Sequence, residues 1–143
     1  MRLMALDVGD RRIGVAVSDP DKLIATPLSV IVRRGASRDI EALGKLVQEH
    51  EVEKLVVGLP RRMDGTLGPQ AEKAQAFGDE AGRRLGITVT YWDERLTTAQ
   101  AERLMIEAGI RREDRKGRID AVAAGLLLQN YLDFLRSQAN RQE

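Results

Sequence analysis

The chain has 143 residues, 31% of them charged, with a formal net charge of +1 and no cysteine. That length suits one domain with a proper core and not two, and the lack of cysteine excludes disulfides, zinc–thiolate sites and thiol nucleophiles. A near-neutral total excludes a polycation, although Arg111, Arg112, Arg115, Lys116 and Arg118 concentrate positive charge locally.

The longest hydrophobic stretch, around Ile119 to Leu128, contains Asp120 and falls short of the about 20 apolar residues that span a bilayer. Met1-Arg2 leads straight into a strand carrying Asp7, unlike a signal peptide. The expectation is a cytoplasmic protein with no membrane partner.

Arg2 to Val8 reads as a buried strand, and Arg12 to Ser18 as its hairpin partner across the turn Gly9-Asp10-Arg11. A third strand is expected from Leu28 to Arg33, after Asp19-Pro20-Asp21-Lys22 and the rigid Thr26-Pro27 step. The period then changes. Behind Ser37 as N-cap, Ile40, Leu43, Gly44 and Val47 recur at helical spacing, which predicts an amphipathic helix ending near His50.

Lys54 to Leu59 is a short apolar strand closed by Pro60, and Gly68-Pro69 opens a second helix with Ala74, Phe77, Ala81 and Leu85 on one face. Gly86 precedes a strand from Ile87 to Trp92. Thr97 and Gln100 form a capping box for a third helix through Ala108, stopped by Gly109. A basic loop, Arg111 to Arg118, leads to a final helix from about Ile119 to Leu135, and Ser137 onward reads as a frayed polar tail. One domain over 1–136, with a tail over 137–143, is the expected organisation.

Early strands joined by short turns pair antiparallel, and strands separated by helices run parallel through right-handed crossovers. The fold class is therefore α/β: a mixed five-stranded sheet, three antiparallel N-terminal strands and two parallel, with helices on both faces. In such sheets the site lies at the carboxyl ends of the parallel strands.

Acids gather at those ends. Asp7 interrupts the apolar run Leu3-Met4-Ala5-Leu6-Asp7-Val8, where an unpaired charge costs several kcal/mol. Asp93-Glu94 closes the fifth strand, and Asp120 opens the last helix. Singly, each has a plain explanation: a turn-forming Asp, solvated strand-end charges, and a helix-dipole acid. Jointly they suggest a metal site. Between Asp93 and Glu94 the alternation of strand side chains lets one point at the site, and Glu94 is preferred. Carboxylates without cysteine, with His50 as the one histidine, favour Mg²⁺ or Mn²⁺ over zinc. Two such ions about 4 Å apart suit in-line hydrolysis of a phosphodiester by water.

Four motifs in order carry a resemblance. Asp7-Val8-Gly9 with Arg12-Ile13-Gly14-Val15-Ala16 comes first, then Val56-Val57-Gly58-Leu59-Pro60 with Met63-Asp64-Gly65-Thr66. Asp93-Glu94-Arg95-Leu96-Thr97-Thr98 and Lys116-Gly117-Arg118-Ile119-Asp120-Ala121 complete the set. From Met1 to about Tyr131 the chain resembles the YqgF family, the pre-16S rRNA nucleases also described as Holliday-junction-resolvase-like, with a ribonuclease H-like fold. The resemblance implies a nuclease with Asp7, Glu94 and Asp120 as a catalytic, metal-binding triad. Two departures are Arg61-Arg62 after Leu59-Pro60, a possible phosphate contact, and the additional acid Asp10, an outer-shell ligand or nothing.

The cations expected against nucleic acid are Arg12, Arg61, Arg62, Arg95, Arg115, Lys116 and Arg118. His50, at a helix end, and Tyr91 and Trp92 read as structural. The substrate is precursor rRNA or a branched DNA junction. A junction resolvase needs two symmetric sites, so a homodimer favours DNA and a monomer favours RNA; no sequence feature marks a dimer face. Two other classes remain. Asp7-x-Gly9-x-x-x-x-Gly14 on a strand-turn-strand resembles the phosphate loop of the actin/Hsp70 and sugar-kinase type, although those proteins close ATP between two such domains. A metal-free protein holding RNA by its basic loop is the third reading.

Overall fold

The computed structural model describes residues 1–60, 66–93 and 112–141. In chain order these form β1 (Arg2–Val8), β2 (Arg12–Ser18), β3 (Ala25–Val32), α1 (Ala36–Glu49), β4 (Val52–Leu59), α2 (Pro69–Leu85), β5 (Thr88–Asp93) and α3 (Arg112–Arg141). The sheet order is β3-β2-β1-β4-β5. β1 is antiparallel to β2 and β2 to β3, while β4 runs parallel to both β1 and β5. The mixed sheet expected from the loop lengths is the one that forms.

Alternation along the strands divides the core in two. Met4, Leu6, Val8, Ile13, Val15, Leu55, Val57 and Leu59 face one way and pack with Ile40 and Leu43 of α1 and Ala74, Phe77 and Ala81 of α2. Leu3, Ala5, Ala16 and Val56 face the other way, under Ala124, Leu127, Leu128, Tyr131 and Leu132 of α3. α3 lies across β3, β2 and β1.

Several local expectations are corrected. Helix α1 is capped at Gly35 and not Ser37, without a side-chain cap bond; the Ser37 hydroxyl instead accepts from Arg84 Nη1 at 3.0 Å. β3 begins at Ala25, not Leu28, because Gln129 of α3 holds its start: Ala25 N–H donates to Oε1 at 2.9 Å and Nε2 donates to the Leu23 carbonyl at 3.0 Å. Pro27 is tolerated inside β3 because the strand is at the sheet edge. The segment read as a basic loop is helical from Arg112, and α3 continues through Ser137 to Arg141, past the point where a tail was expected.

α2 keeps its expected ends, with Pro69 in the first turn and Gly86 in the left-handed conformation at its C-cap. His50 ends α1, as expected, its backbone N–H bonded to the Leu46 carbonyl at 3.0 Å. The helix expected over Thr97 to Ala108 lies outside the described residues.

Candidate active site

Asp7 sits one residue from the carboxyl end of β1, directly opposite Gly14 of β2. Cross-strand partners point to the same face of a sheet. Asp7 therefore follows Leu3 and Ala5 onto the α3 side, and Gly14 shares that side with Ala16.

Gly14 explains how the acid from the last helix arrives. A Cβ on Gly14 would lie 1.9 Å from the Asp120 carbonyl oxygen and 2.9 Å from the Ala121 nitrogen. Only a residue without a side chain lets α3 rest on the sheet there. Gly125, further along the same helix, repeats the device, since its Cβ would meet Pro27 Cγ at 3.2 Å. Asp7 and Asp120, 113 positions apart in sequence, thus converge on opposite sides of one glycine.

The Asp120 side chain is half-buried, and that burial pushes its carboxyl above the usual range, opposed by the Arg12 guanidinium nearby. Arg12 shares the strand parity of Gly14, which puts it on the α3 side. A half-buried acid with one arginine beside it, over a sheet face that carries a second acid, is a place where a cation gains by binding.

The turn after Asp7 is held from two directions. Gly9 N–H donates to the Arg12 carbonyl at 2.8 Å, closing the hairpin. Arg33 then donates from Nη1 to the Gly9 carbonyl at 3.0 Å and from its backbone N–H to the Arg11 carbonyl at 2.9 Å. Its guanidinium lies over the Phe77 ring, 5.4 Å from the centroid, and reaches the buried Asp39 at 3.4 Å. Asp39 also accepts the Arg34 backbone N–H at 2.9 Å.

From the α2 side, Gln70 Nε2 and Lys73 Nζ donate to Asp10 at 2.8 and 3.5 Å. The Gln70 bond and the Lys73 charge hold the Asp10 carboxyl below its usual range. Asp10, read as an outer-shell ligand or nothing, is a tie between the hairpin and α2.

Among the expected site residues, the structure brings together Asp7, Asp120 and Arg12. Glu94, Arg61, Arg62 and Arg95 lie outside the described residues; Arg115, Lys116 and Arg118 belong to α3, with nothing described of their side chains. Among the described residues no group of three metal-ligating side chains gathers. Gly14 and Arg33 were missed as site residues. A glycine inside a strand was the available signal for the first; nothing local marked the second.

Tyr91 and Trp92 are structural, as expected. Tyr91 donates to the Gln75 carbonyl at 2.9 Å and to Asp79, and burial, then Asp79, raises its pKa. Trp92 packs edge-on against Tyr131, with centroids 5.2 Å apart.

A mixed sheet of this order with helices on both faces is a ribonuclease H-like α/β fold. "T. thermophilus RuvC in complex with Holliday junction substrate" shares the fold with a TM-score of 0.61, 17% identity and 96% of each chain covered. The Fowlpox virus resolvase in complex with Holliday junction DNA does so with a TM-score of 0.59 and 10% identity, over 94% of this chain and 99% of that one.

At such identities the likeness is one of fold. Sequence goes further: the family described as "RuvX: Holliday junction resolvase" matches residues 1–134, and the chain belongs to it. A relative from Halothermothrix orenii named "Putative pre-16S rRNA nuclease" is 49% identical over 94% of this chain and 96% of its own. One of the same name from Clostridioides difficile is 50% identical over 93% and 94%.

Proposed function

We propose that the chain is a divalent-metal-dependent endonuclease that trims the 5′ side of precursor 16S rRNA in the cytoplasm, with Asp7, Glu94 and Asp120 as its acids. The observation that carries this is the meeting of Asp7 and Asp120 across Gly14. Two acids from distant parts of the chain share one sheet face, and the fold excludes a side chain between them.

Strand parity supports Glu94 over Asp93. Trp92 packs on the α3 side, whereas Asp93 pairs in register with Leu59, which belongs to the opposite core. Asp93 thus belongs to the side away from Asp7, and Glu94 is proposed as the acid instead.

Asp7 and Asp120 fit Mg²⁺ or Mn²⁺: hard oxygen donors, one of them half-buried, where a bound cation would offset the burial that raises its pKa. Bound there, such ions would supply charge neutralisation at the attacking and departing oxygens of a phosphodiester. The remaining work belongs to the chain. The double hold on Gly9 and Asp10 keeps Asp7 at a fixed height above the sheet. Arg12 opposes the effect of burial on Asp120 and is proposed to meet a phosphate. Arg61, Arg62, Arg95, Arg115, Lys116 and Arg118 are proposed to hold the flanking backbone, which sets affinity and its salt dependence.

The β1–β2 turn does not favour the phosphate-loop reading, since Gly9 N–H is spent on the Arg12 carbonyl. A second nuclease reading, cleavage of four-way DNA junctions, is favoured by the family description and by the fold shared with RuvC.

Cleavage of a precursor 16S rRNA 5′ fragment beside a synthetic four-way junction, each with Mg²⁺ and with Mn²⁺, separates the two. Specific cuts in the RNA, lost in Asp120→Asn, are expected. Junction cleavage with intact RNA would replace the RNA reading, and metal-independent binding with no cleavage of either would end the enzyme.

A further inference from the structure

Among the described residues β3 is an edge strand, and one row of its backbone N–H and C=O groups has no described strand beside it. Between it and α1 runs an open groove of about 750 Å³, floored by Ser29 to Val32 and walled by Arg38, Ala42, Lys45 and Glu49. Val32 in this groove is 59% exposed, a large apolar side chain left to solvent on an open edge.

The wall has a pattern. Arg38, Ala42, Lys45 and Glu49 recur at steps of four, three and four, the spacing of one helical seam, with Glu41 beside them. All four charged residues are exposed, and among the described residues no ion pair engages any of them, although Glu41 and Lys45 stand at i,i+4.

The charges run basic at the start of the helix and acidic at its end. Turned end for end, the series is its own complement. In an antiparallel pair of α1 helices, Arg38 meets Glu49 of the partner subunit, Lys45 lies beside Glu41 of the partner subunit, and both contacts repeat by symmetry.

We propose that this face joins two copies of the chain about a two-fold axis perpendicular to the sheet. β3 pairs antiparallel with β3 of the second copy, and the two α1 helices lie side by side above the seam. The interface is isologous, as a closed dimer requires. It satisfies the bare edge, covers Val32 and pairs charges that otherwise stand alone. Pro27 has no N–H to offer, which confines the new ladder to the Leu28–Val32 half of β3.

Such an axis keeps both α3 faces on one side of the joined sheet. Both pairs of Asp7 and Asp120 then open toward the same substrate, an arrangement suited to a branched nucleic acid with its own two-fold symmetry. The assembly itself does not depend on the nuclease reading.

Sedimentation at roughly 100 μM, where an interface of even micromolar Kd is populated, tests it directly. The wild type should run at twice the 15.9 kDa chain mass. Arg38→Glu and Glu49→Arg should each run as monomers, because each sets like charges face to face, and should melt like the wild type at concentrations too low for it to dimerise. Arg38→Glu/Glu49→Arg together should restore the dimer.

A monomeric wild type, single reversals that leave the dimer intact, or a folded double variant that stays monomeric would each overturn the proposal. Sedimentation is blind to cleavage. Loss of the dimer would therefore leave the nuclease standing, and an inactive dimer would leave the interface standing.

Discussion

The two faces of the sheet are built for different ends. On the α1 and α2 side the central strands offer large aliphatics: Met4, Leu6, Ile13, Val15, Leu55 and Val57 are all fully buried against Leu43 and Phe77. On the α3 side the strands offer Ala5, Gly14 and Ala16, and the helix offers Ala124. Small residues bury less apolar area and let backbones approach. The first face buries the larger aliphatics, and the second gives up some of that burial so that the α3 backbone at Asp120 can close on Gly14. Leu6 and Asp7 are neighbours in sequence and belong to the two different faces.

That contrast can be broken experimentally. The largest effect is expected at Asp7: Asp7→Asn should reduce cleavage to background while the melting temperature without metal holds or rises, since a repulsion between acids is removed at constant volume. A fall of many degrees in calorimetry would instead make Asp7 part of the stabilising core.

Leu6→Ala should show the converse. A stability loss of about 2–5 kcal/mol in urea unfolding is expected, with cleavage per folded molecule retained. Parallel loss of activity and stability in both variants would mean that the faces are not separable.

Gly14→Ala sits between them. Its Cβ would meet rigid helix backbone at 1.9 Å, so α3 must shift. Overpacking of this kind costs about 1–3 kcal/mol, and displacing Asp120 by about 1 Å should lower the cleavage rate on the order of 10²-fold. Single-turnover rates at temperatures where the variant is folded would separate the two.

The smallest effect is expected at Asp120 without metal. Its carboxyl titrates above 3.8 in the folded chain, so the folded state holds that proton more tightly than the unfolded one. The resulting stabilisation is present below pH 3.8 and is lost as the pH rises through the raised value. Asp120→Asn escapes this loss. Its melting temperature should therefore gain on the wild type as the pH climbs toward neutrality, and the gap should shrink in acid. A constant offset across pH would show that burial does not burden the carboxylate.

Much of the site was legible because local chemistry exposes it. An acid inside Leu3-Met4-Ala5-Leu6-Asp7-Val8 needs a reason wherever the chain folds, and the change from period two to helical spacing after β3 marks the crossover that makes β4 parallel. Composition excluded thiol chemistry with no structure at all. These inferences rest on what neighbours in sequence do to each other, and such effects survive any tertiary arrangement.

What sequence could not carry was distance. Ser37 looked like the cap of α1, yet its hydroxyl is taken by Arg84, 47 residues away. β3 looked shorter than it is because Gln129, 104 residues from Ala25, organises its first residues. Gly14 read as part of a family motif and of a phosphate-loop pattern, and its role against α3 showed only in the fold. Arg33 read as a strand end until its guanidinium was seen to hold the Gly9 carbonyl. Sequence determined which elements form and which acids are anomalous, because backbone propensity and the cost of burying charge are local. Tertiary structure decided which glycine admits Asp120, which arginine holds the turn behind Asp7, and which helix face borders the open edge. Those outcomes depend on close approach between segments that share no sequence neighbourhood, where a single methyl group settles whether two backbones can meet.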